Sequence, residues 1–352
     1  MHPKLCKQRP GLFWVRTEGT MPLKSGKTHA LLATLALCLG VVLGAGNALA
    51  GSPVFVSILP QKYFVEKIAG DLAEVSVLVM PGASPHTYEP TPRQMTALAG
   101  AKAYFSIGVN FEEVWLPRIN SANPTMRIVA TDRGIEKIPM AAHAHHAEDG
   151  GHDEDGGHED HAHDTAGAAQ KDHEHDQAAA HHDHDHDHGT LDPHVWLSPD
   201  GARVLARNTC AGLIKMDPAN EAVYRANADA LLLEIDRVDA EIRTRLDTLP
   251  ENRRSFMVFH PSWGYFAHQY GLTQIPIESQ GKEPSPKGLS QIIKQGRDLG
   301  IRVIFVQPQF SEKSAAVIAA EIGAKTAELD PLAEDWAATM LHAAQAISQA
   351  AR

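Results

Sequence analysis

Three histidines lie in loops whose sequences are unusual enough to carry chemistry. His86 lies in MPGASPHTYEPTP (80–92), His194 in LDPHVWLSP (191–199) and His260 in VFHPSWGYFA (258–267). Neutral imidazole binds Zn, Cu, Ni and Fe. Three imidazoles at about 2.0–2.1 Å make a Zn2+ site with one position open. Asp330, in LDPLA (329–333), follows a strand-like segment and offers a carboxylate; before Pro331 it could equally cap the next helix. His268 and His342 fall inside helical patterns and read as structural or exposed. Glu89, Glu112 and Glu113 read as outer or surface carboxylates.

A second metal signal is compositional. Residues 143–188 hold 14 of the 21 histidines and 14 Asp/Glu, with Lys171 the only basic residue. Runs such as HHDHDHDH (181–188) offer many nitrogens and carboxylates but no apolar face to bury. That composition predicts a disordered insert that scavenges metal. Other site chemistries find no support: there is no GxSxG, P-loop, GxGxxG after the first strand, or HExxH. No carboxylate stands at a spacing that would make it the general base of a metal hydrolase.

The elements that must position the three loops read as α/β. Short β-branched runs at 54–58, 74–80, 103–107 and 127–130 alternate with helical spacing at 61–70, 91–99 and 111–119. After the insert, Ser198-Pro199 and Asp217-Pro218 each read as an N-cap followed by proline at the first helical position. The second of these helices should run over 218–249, roughly 45 Å. A further series follows: strands at 256–259, 273–277, 303–306 and 325–329, and helices near 262–270, 285–299, 311–322 and 333–350. Short strands alternating with helices indicate parallel sheets. The predicted architecture is two parallel-sheet α/β lobes joined by a long rigid helix, with the metal cleft between them. The lobes span 51–205 (containing the insert) and 255–352, and 206–254 form the helical linker. Ligand-binding loops belong at the carboxyl ends of parallel strands, where the three histidines fall. No internal sequence repeat is detectable.

The first 50 residues stand apart. They carry six Lys/Arg against one acid, a net +5, so the remainder of a chain of net charge −11 stands at −16. Such a balance disfavours nucleic acid and suits a cationic partner. Lys24 and Lys27 precede a 17-residue apolar run (30–46), and Ala48-Leu49-Ala50 has the small-x-small pattern of a cleavage site. Residues 1–50 are read as a signal peptide cut after about Ala50, with Met21 a second candidate start. The alternatives are an uncleaved anchor, for which the run is short of about 20 residues, and a lipoprotein at Cys38, for which Leu37 is bulky. Cys210 alone remains after cleavage, so no internal disulfide can form; it lies on an apolar helical face and reads as core.

SPHTYEPTP, DPHVWLSP, HPSWGYFA and VIFVQPQF…LDPLA, in this order over nearly all of 53–350, resemble the metal-specific substrate-binding proteins of bacterial ABC importers (cluster A-I). The zinc-uptake, ZnuA-type, branch is the most similar and commonly carries a His-rich acidic loop. The resemblance implies two α/β lobes, a rigid linking helix and a metal held between them. It implies ligand positions at His86, His194 and His260 and an acidic one at Asp330. Some zinc-branch members have Glu just before the first ligand; here Pro85 stands there, which leaves Asp330 or water for the fourth position. It also implies a monomeric periplasmic protein that carries Zn2+ to a permease in the inner membrane driven by a cytoplasmic ATPase. Rival readings are a manganese- or iron-binding homologue, a secreted zinc hydrolase, and a metal buffer without a transporter. Manganese-binding relatives tend to have Glu where His260 stands.

Overall fold

The computed structural model describes residues 51–141, 191–278 and 282–351. The expected signal peptide and the His-rich insert lie outside the described residues. The amino-terminal lobe runs β1 (Ser52–Val56), α1 (Leu59–Ala69), β2 (Ala73–Val77), α2 (Pro92–Leu98), β3 (Ala103–Ser106), α3 (Asn110–Ala122) and β4 (Arg127–Ala130). Two helices follow, α4 (Pro199–Met216) and α5 (Glu221–Leu246). The second lobe runs β5 (Ser255–Val258), α6 (Gly264–Tyr270), β6 (Thr273–Pro276), α7 (Pro286–Asp298), β7 (Val303–Val306), α8 (Lys313–Ile322), β8 (Lys325–Glu328) and α9 (Trp336–Ala350). None of the described helices is long and apolar enough to cross a membrane.

Both sheets are wholly parallel and share one topology: β2-β1-β3-β4 and β6-β5-β7-β8. The lobes therefore repeat a fold without a legible sequence repeat. In each, the chain moves to one side of its first strand and then to the other. That creates a switch point between β1 and β3, and another between β5 and β7, where opposed loops leave a crevice.

The sequence marks the helix starts well. Ser198 Oγ accepts from Gly201 N at 3.0 Å, with Pro199 opening α4; Ser285 Oγ accepts from Gly288 N at 3.2 Å, with Pro286 opening α7. Asp217 behaves differently from expectation. It ends α4, and its Oδ2 accepts from Asn220 Nδ2 (2.6 Å) and Tyr224 OH (2.9 Å), while Pro218–Asn220 forms a 3-10 turn. The linking helix is thus 26 residues, about 39 Å, shorter than the sequence suggests.

α5 buries Tyr224, Ala228, Leu231, Ile235, Val238, Ile242 and Leu246, a spacing of three and four that draws one apolar stripe along its length. The stripe packs on α1 and α4 of the first lobe and on α9, the last helix of the second. The principal hydrophobic cluster runs without interruption from β1 and β3 through α5 to Phe256, Trp263 and Trp336. A second cluster (Met257, Ile275, Ile277, Ile304, Ile318) belongs to the other lobe alone. A core shared across the two lobes resists their separation, because opening them would expose apolar surface at about 25 cal/mol per Å2.

Candidate metal centre

The structure brings His86, His194 and His260 together. One ring nitrogen from each lies within 4.8 Å of the others, and ring centroids are 4.7–5.6 Å apart. His86 Nε2 and His260 Nε2 are 3.0 Å apart. Two nitrogens on one tetrahedral zinc would stand about 3.3 Å apart, given bonds near 2.05 Å. Small side-chain adjustments therefore suffice to admit an ion.

Each histidine is positioned by a different device. His86 sits in the loop between β2 and α2, half-buried. A turn closes it, with Thr87 N bonded to Ser84 O and His86 N to Ser84 Oγ. Tyr88 OH and Gln94 Nε2 both donate to Leu78 O, tying that loop back to its strand. His194 is buried one turn before α4. Its backbone N and its Nδ1 both lie against Asp192 Oδ1, at 2.9 and 2.7 Å. Two glycines permit this approach. A Cβ at Gly201 would lie 1.9 Å from Val195 O, and one at Gly264 would lie 2.4 Å from Asp192 Oδ2.

His260 leaves the end of β5 and is 4 % exposed. Gln307, just past β7, brackets its backbone: His260 N donates to Gln307 Oε1 (3.1 Å) and Gln307 Nε2 to His260 O (2.9 Å). The ring stacks on Phe310 at 4.6 Å, and Nδ1 meets Glu278 Oε1 at 2.7 Å. His260 and Gln307 occupy the switch point of the second sheet, the place where such folds bind ligands.

The three-histidine group does not include Asp330. Its Oδ1 accepts from Gln309 Nε2 (2.8 Å) and Leu332 N (2.9 Å), so the carboxylate fastens the turn after β8. Asp330 does not cap the next helix either: α9 begins at Trp336 and its cap is Asp335, whose Oδ1 accepts from Ala338 N at 3.0 Å. His268 and His342 are exposed and away from the group. Cys210 is buried, as its apolar helical face implies.

Glu278 carries no distinctive local sequence, and Asp192 lies inside the LDPHVWLSP motif without being singled out there; only the folded chain sets both against ring nitrogens. Glu112, too, is fully inside. It accepts from Ser57 Oγ, Ile107 N (3.0 Å) and Gly108 N (2.8 Å), and burial pushes its carboxyl up to about 7. These bonds fix the start of α3, where the buried Oδ1 of Asn110 has no hydrogen-bond partner. Asn110 is close enough to His86 to act on its protonation.

Burial, and then the charges of the neighbouring imidazoles, push His86 down to about 3. Burial first, then His260, holds His194 well below the ordinary histidine range. Asp192 faces His194 as a neutral ring, so that contact is a hydrogen bond and not an ion pair; burial pushes Asp192 up to about 7. Unfolded histidine titrates near 6.5, so between about 3 and 6.5 the unfolded chain binds more protons at His86, and His194, also held below the ordinary range, acts in the same sense below 6.5. These two groups therefore weaken the metal-free fold as pH falls through that window. Asp192 and Glu112, raised above ordinary carboxylates, act in the opposite sense between about 7 and 4.

For metal binding the consequence is a shallow pH dependence. With two rings already neutral, at most one proton leaves the trio per ion bound, and Asp192, raised to about 7, can release at most one more. The logarithm of apparent zinc affinity should fall by at most about two per pH unit from pH 7 to pH 5. Three imidazoles with reference pKa near 6.5 would approach a slope of three. Chelator competition at three pH values measures it, and a slope near three would contradict the buried neutral state of His86 and His194.

Two parallel α/β lobes, a long linking helix and a buried nest of imidazoles between them define a solute-binding protein of the metal-binding kind. The sequence profile of ZnuA, the periplasmic component A of zinc-uptake complexes, matches residues 54–350, and the chain belongs to that family. The chain is 29% identical over 317 residues to the high-affinity zinc uptake system protein ZnuA of Bacillus subtilis, covering 86% of this chain and 88% of that one. It is 28% identical over 281 residues to the zinc-binding protein AdcA of Streptococcus pyogenes, covering 79% of this chain but half of AdcA. A crystal structure of a ZnuA superposes with TM-score 0.71 at 38% identity, covering 86% of this chain and all of that one. A ZnuA lacking residues 138–173, crystallised with zinc bound, gives TM-score 0.70 at 38% identity, covering 85% of this chain and 98% of that one.

Proposed function

We infer that this chain is the zinc-capturing, periplasmic solute-binding component of an ABC importer. It holds one Zn2+ at His86, His194 and His260 and delivers it to the membrane permease that the cytoplasmic ATPase drives. The observation that carries the reading is the convergence of three imidazoles from both lobes in a member of the zinc-uptake family. Three neutral nitrogens suit zinc, whereas manganese favours oxygen ligands, and the clustered group holds no carboxylate among the described residues. A water in the fourth position, with Asp330 engaged elsewhere, leaves a place through which the ion can be exchanged. The role is binding and not catalysis: Asp192 and Glu278 are spent on the imidazoles and are not poised as a base beside the open position. Residues 1–50 act as the export signal, and the mature protein works as a monomer.

The shared core and the stiff α5 favour release by local loop movement on docking over a wide opening of the lobes. Metal content of the protein isolated from its native compartment tests the function. Near-stoichiometric zinc is expected, and manganese or iron in its place would overturn the zinc assignment.

The His-rich insert serves as a weaker collector. Its two flanks meet where Pro139 bridges Leu191 and Asp192 N bonds Ile138 O, so a short turn can replace the insert without moving His194. A ZnuA lacking residues 138–173 still crystallises with zinc bound. Deleting residues 143–188 should leave the melting temperature and the single tight site unchanged and remove most additional, looser zinc binding. Calorimetry of the two proteins decides it; loss of the tight site on deletion would refute the accessory role.

A further inference from the structure

A dication placed among three neutral imidazoles in a buried site needs compensating charge, because an isolated buried ion is strongly disfavoured. Among the described residues no carboxylate joins the clustered group, and Asp330 is engaged in its own turn. Two acidic groups touch the cluster, Glu278 and Asp192, each 2.7 Å from the Nδ1 of a clustered histidine. Both are buried, at 2 % and 0 % exposure, and no lysine or arginine is paired with either among the described residues. Their closest charge partners are the rings they touch and whatever those rings hold, with Lys137 acting on Asp192 only from beyond ion-pair distance.

Geometry makes the same point for Glu278 at the level of single protons. An ionised carboxylate only accepts hydrogen bonds, so the proton on the His260 ring sits on Nδ1 and the Nε2 lone pair is presented to the centre. His86 Nε2, 3.0 Å away, is then the donor in the metal-free protein. On ion binding that proton must leave Nε2 for solvent or for Nδ1. Two rings of the trio thus have an acidic acceptor behind them.

We propose that Glu278, with Asp192 as its counterpart, is a positioning and counter-charge residue for the bound dication: it fixes the His260 tautomer and supplies the negative charge that a carboxylate ligand would otherwise bring. This rests on the zinc reading of the site, and the test separates the two. Glu278→Gln keeps the shape and a hydrogen-bond acceptor but removes the charge. Zinc affinity by chelator competition should drop about tenfold to a hundredfold, the usual cost of losing an outer partner of a metal-bound histidine. The Coulomb contribution scales with the charge of the ion, so the loss in log affinity for Ag+, a monovalent probe, should be about half as large. Glu278→Ala removes the acceptor as well. Nitrogen-15 spectra of its His260 ring should lose the pure Nδ1–H tautomer that the wild type shows. Asp192→Asn, measured in parallel, should show the same charge dependence, and each metal-free variant is melted to confirm that it folds. Equal zinc affinity in the wild type and Glu278→Gln, or equal loss for both ions, overturns the inference. Failure of the wild type itself to bind zinc tightly would instead overturn the zinc reading.

Discussion

His260→Ala should abolish tight zinc binding, with a loss of more than about a hundredfold. A structural zinc site is worth about 10–16 kcal/mol, so one of four ligand bonds carries about 3 kcal/mol, or slightly over two powers of ten. His260 should cost at least that much, because its removal also leaves Glu278 buried without its partner and Phe310 without the ring it stacks on. His194→Ala should behave alike, since it strips Asp192 in the same way. His86→Ala loses a ligand but orphans no carboxylate, so its effect should be the smallest of the three. His268→Ala and His342→Ala, on exposed positions outside the cluster, should leave affinity unchanged. Competition against a chelator of known affinity reads all five, and a loss from His342→Ala equal to that from His260→Ala would sink the site assignment.

Trp336→Ala should be the most destabilising single change in the structure, costing about 3–5 kcal/mol in the metal-free protein. Trp336 is 1 % exposed at the start of α9, and its ring packs on Tyr63 and Phe64 of α1, so it joins the last helix of one lobe to the first helix of the other. Its Nε1 donates to Trp196 O at 2.7 Å, while Trp196 Nε1 donates to Pro331 O at 2.8 Å. Two tryptophans are thus cross-bonded, and Trp196 lies against the His194 ring at 5.2 Å. Removing Trp336 leaves a cavity in the shared core and an unpaired carbonyl two residues from His194. For a domain of this size the melting temperature should fall by roughly 6–15 °C. Trp115→Ala, on the half-buried face of α3, should cost far less. Equal shifts in the two variants would contradict the bridging role of Trp336.

The same pair of residues shows where sequence reasoning stops. Trp336 and Trp196 are 140 residues apart, and no periodicity links them. Each lobe's strands are visible as short β-branched runs, and Ser198-Pro199 and Thr91-Pro92 mark their helices because capping is a local interaction decided within four residues. The long helix is visible for the same reason, although its start is displaced: Asp217 finds Asn220 and Tyr224 and makes a turn, which a cap-plus-proline rule cannot foresee. That the strands fall into two copies of one order is invisible, because strand pairing is a long-range choice that leaves no mark on local composition.

By itself, the sequence determined the class of fold and pointed to the metal chemistry and three candidate histidines, since imidazoles in odd Pro-rich loops after strands can be recognised one at a time. Only the tertiary structure decided how they are served. It placed Glu278, eighteen residues beyond His260 in an unremarkable stretch, behind that ring; it brought Gln307 across from β7; and it turned Asp330 to its own backbone. It also merged the cores of the two lobes around α5. A ligand is a property of a side chain and can be read from residue type. A ligand's hydrogen-bond partner and its surrounding charge are properties of proximity, set when folding brings distant segments within 3 Å of each other in a medium too poor in water to screen them.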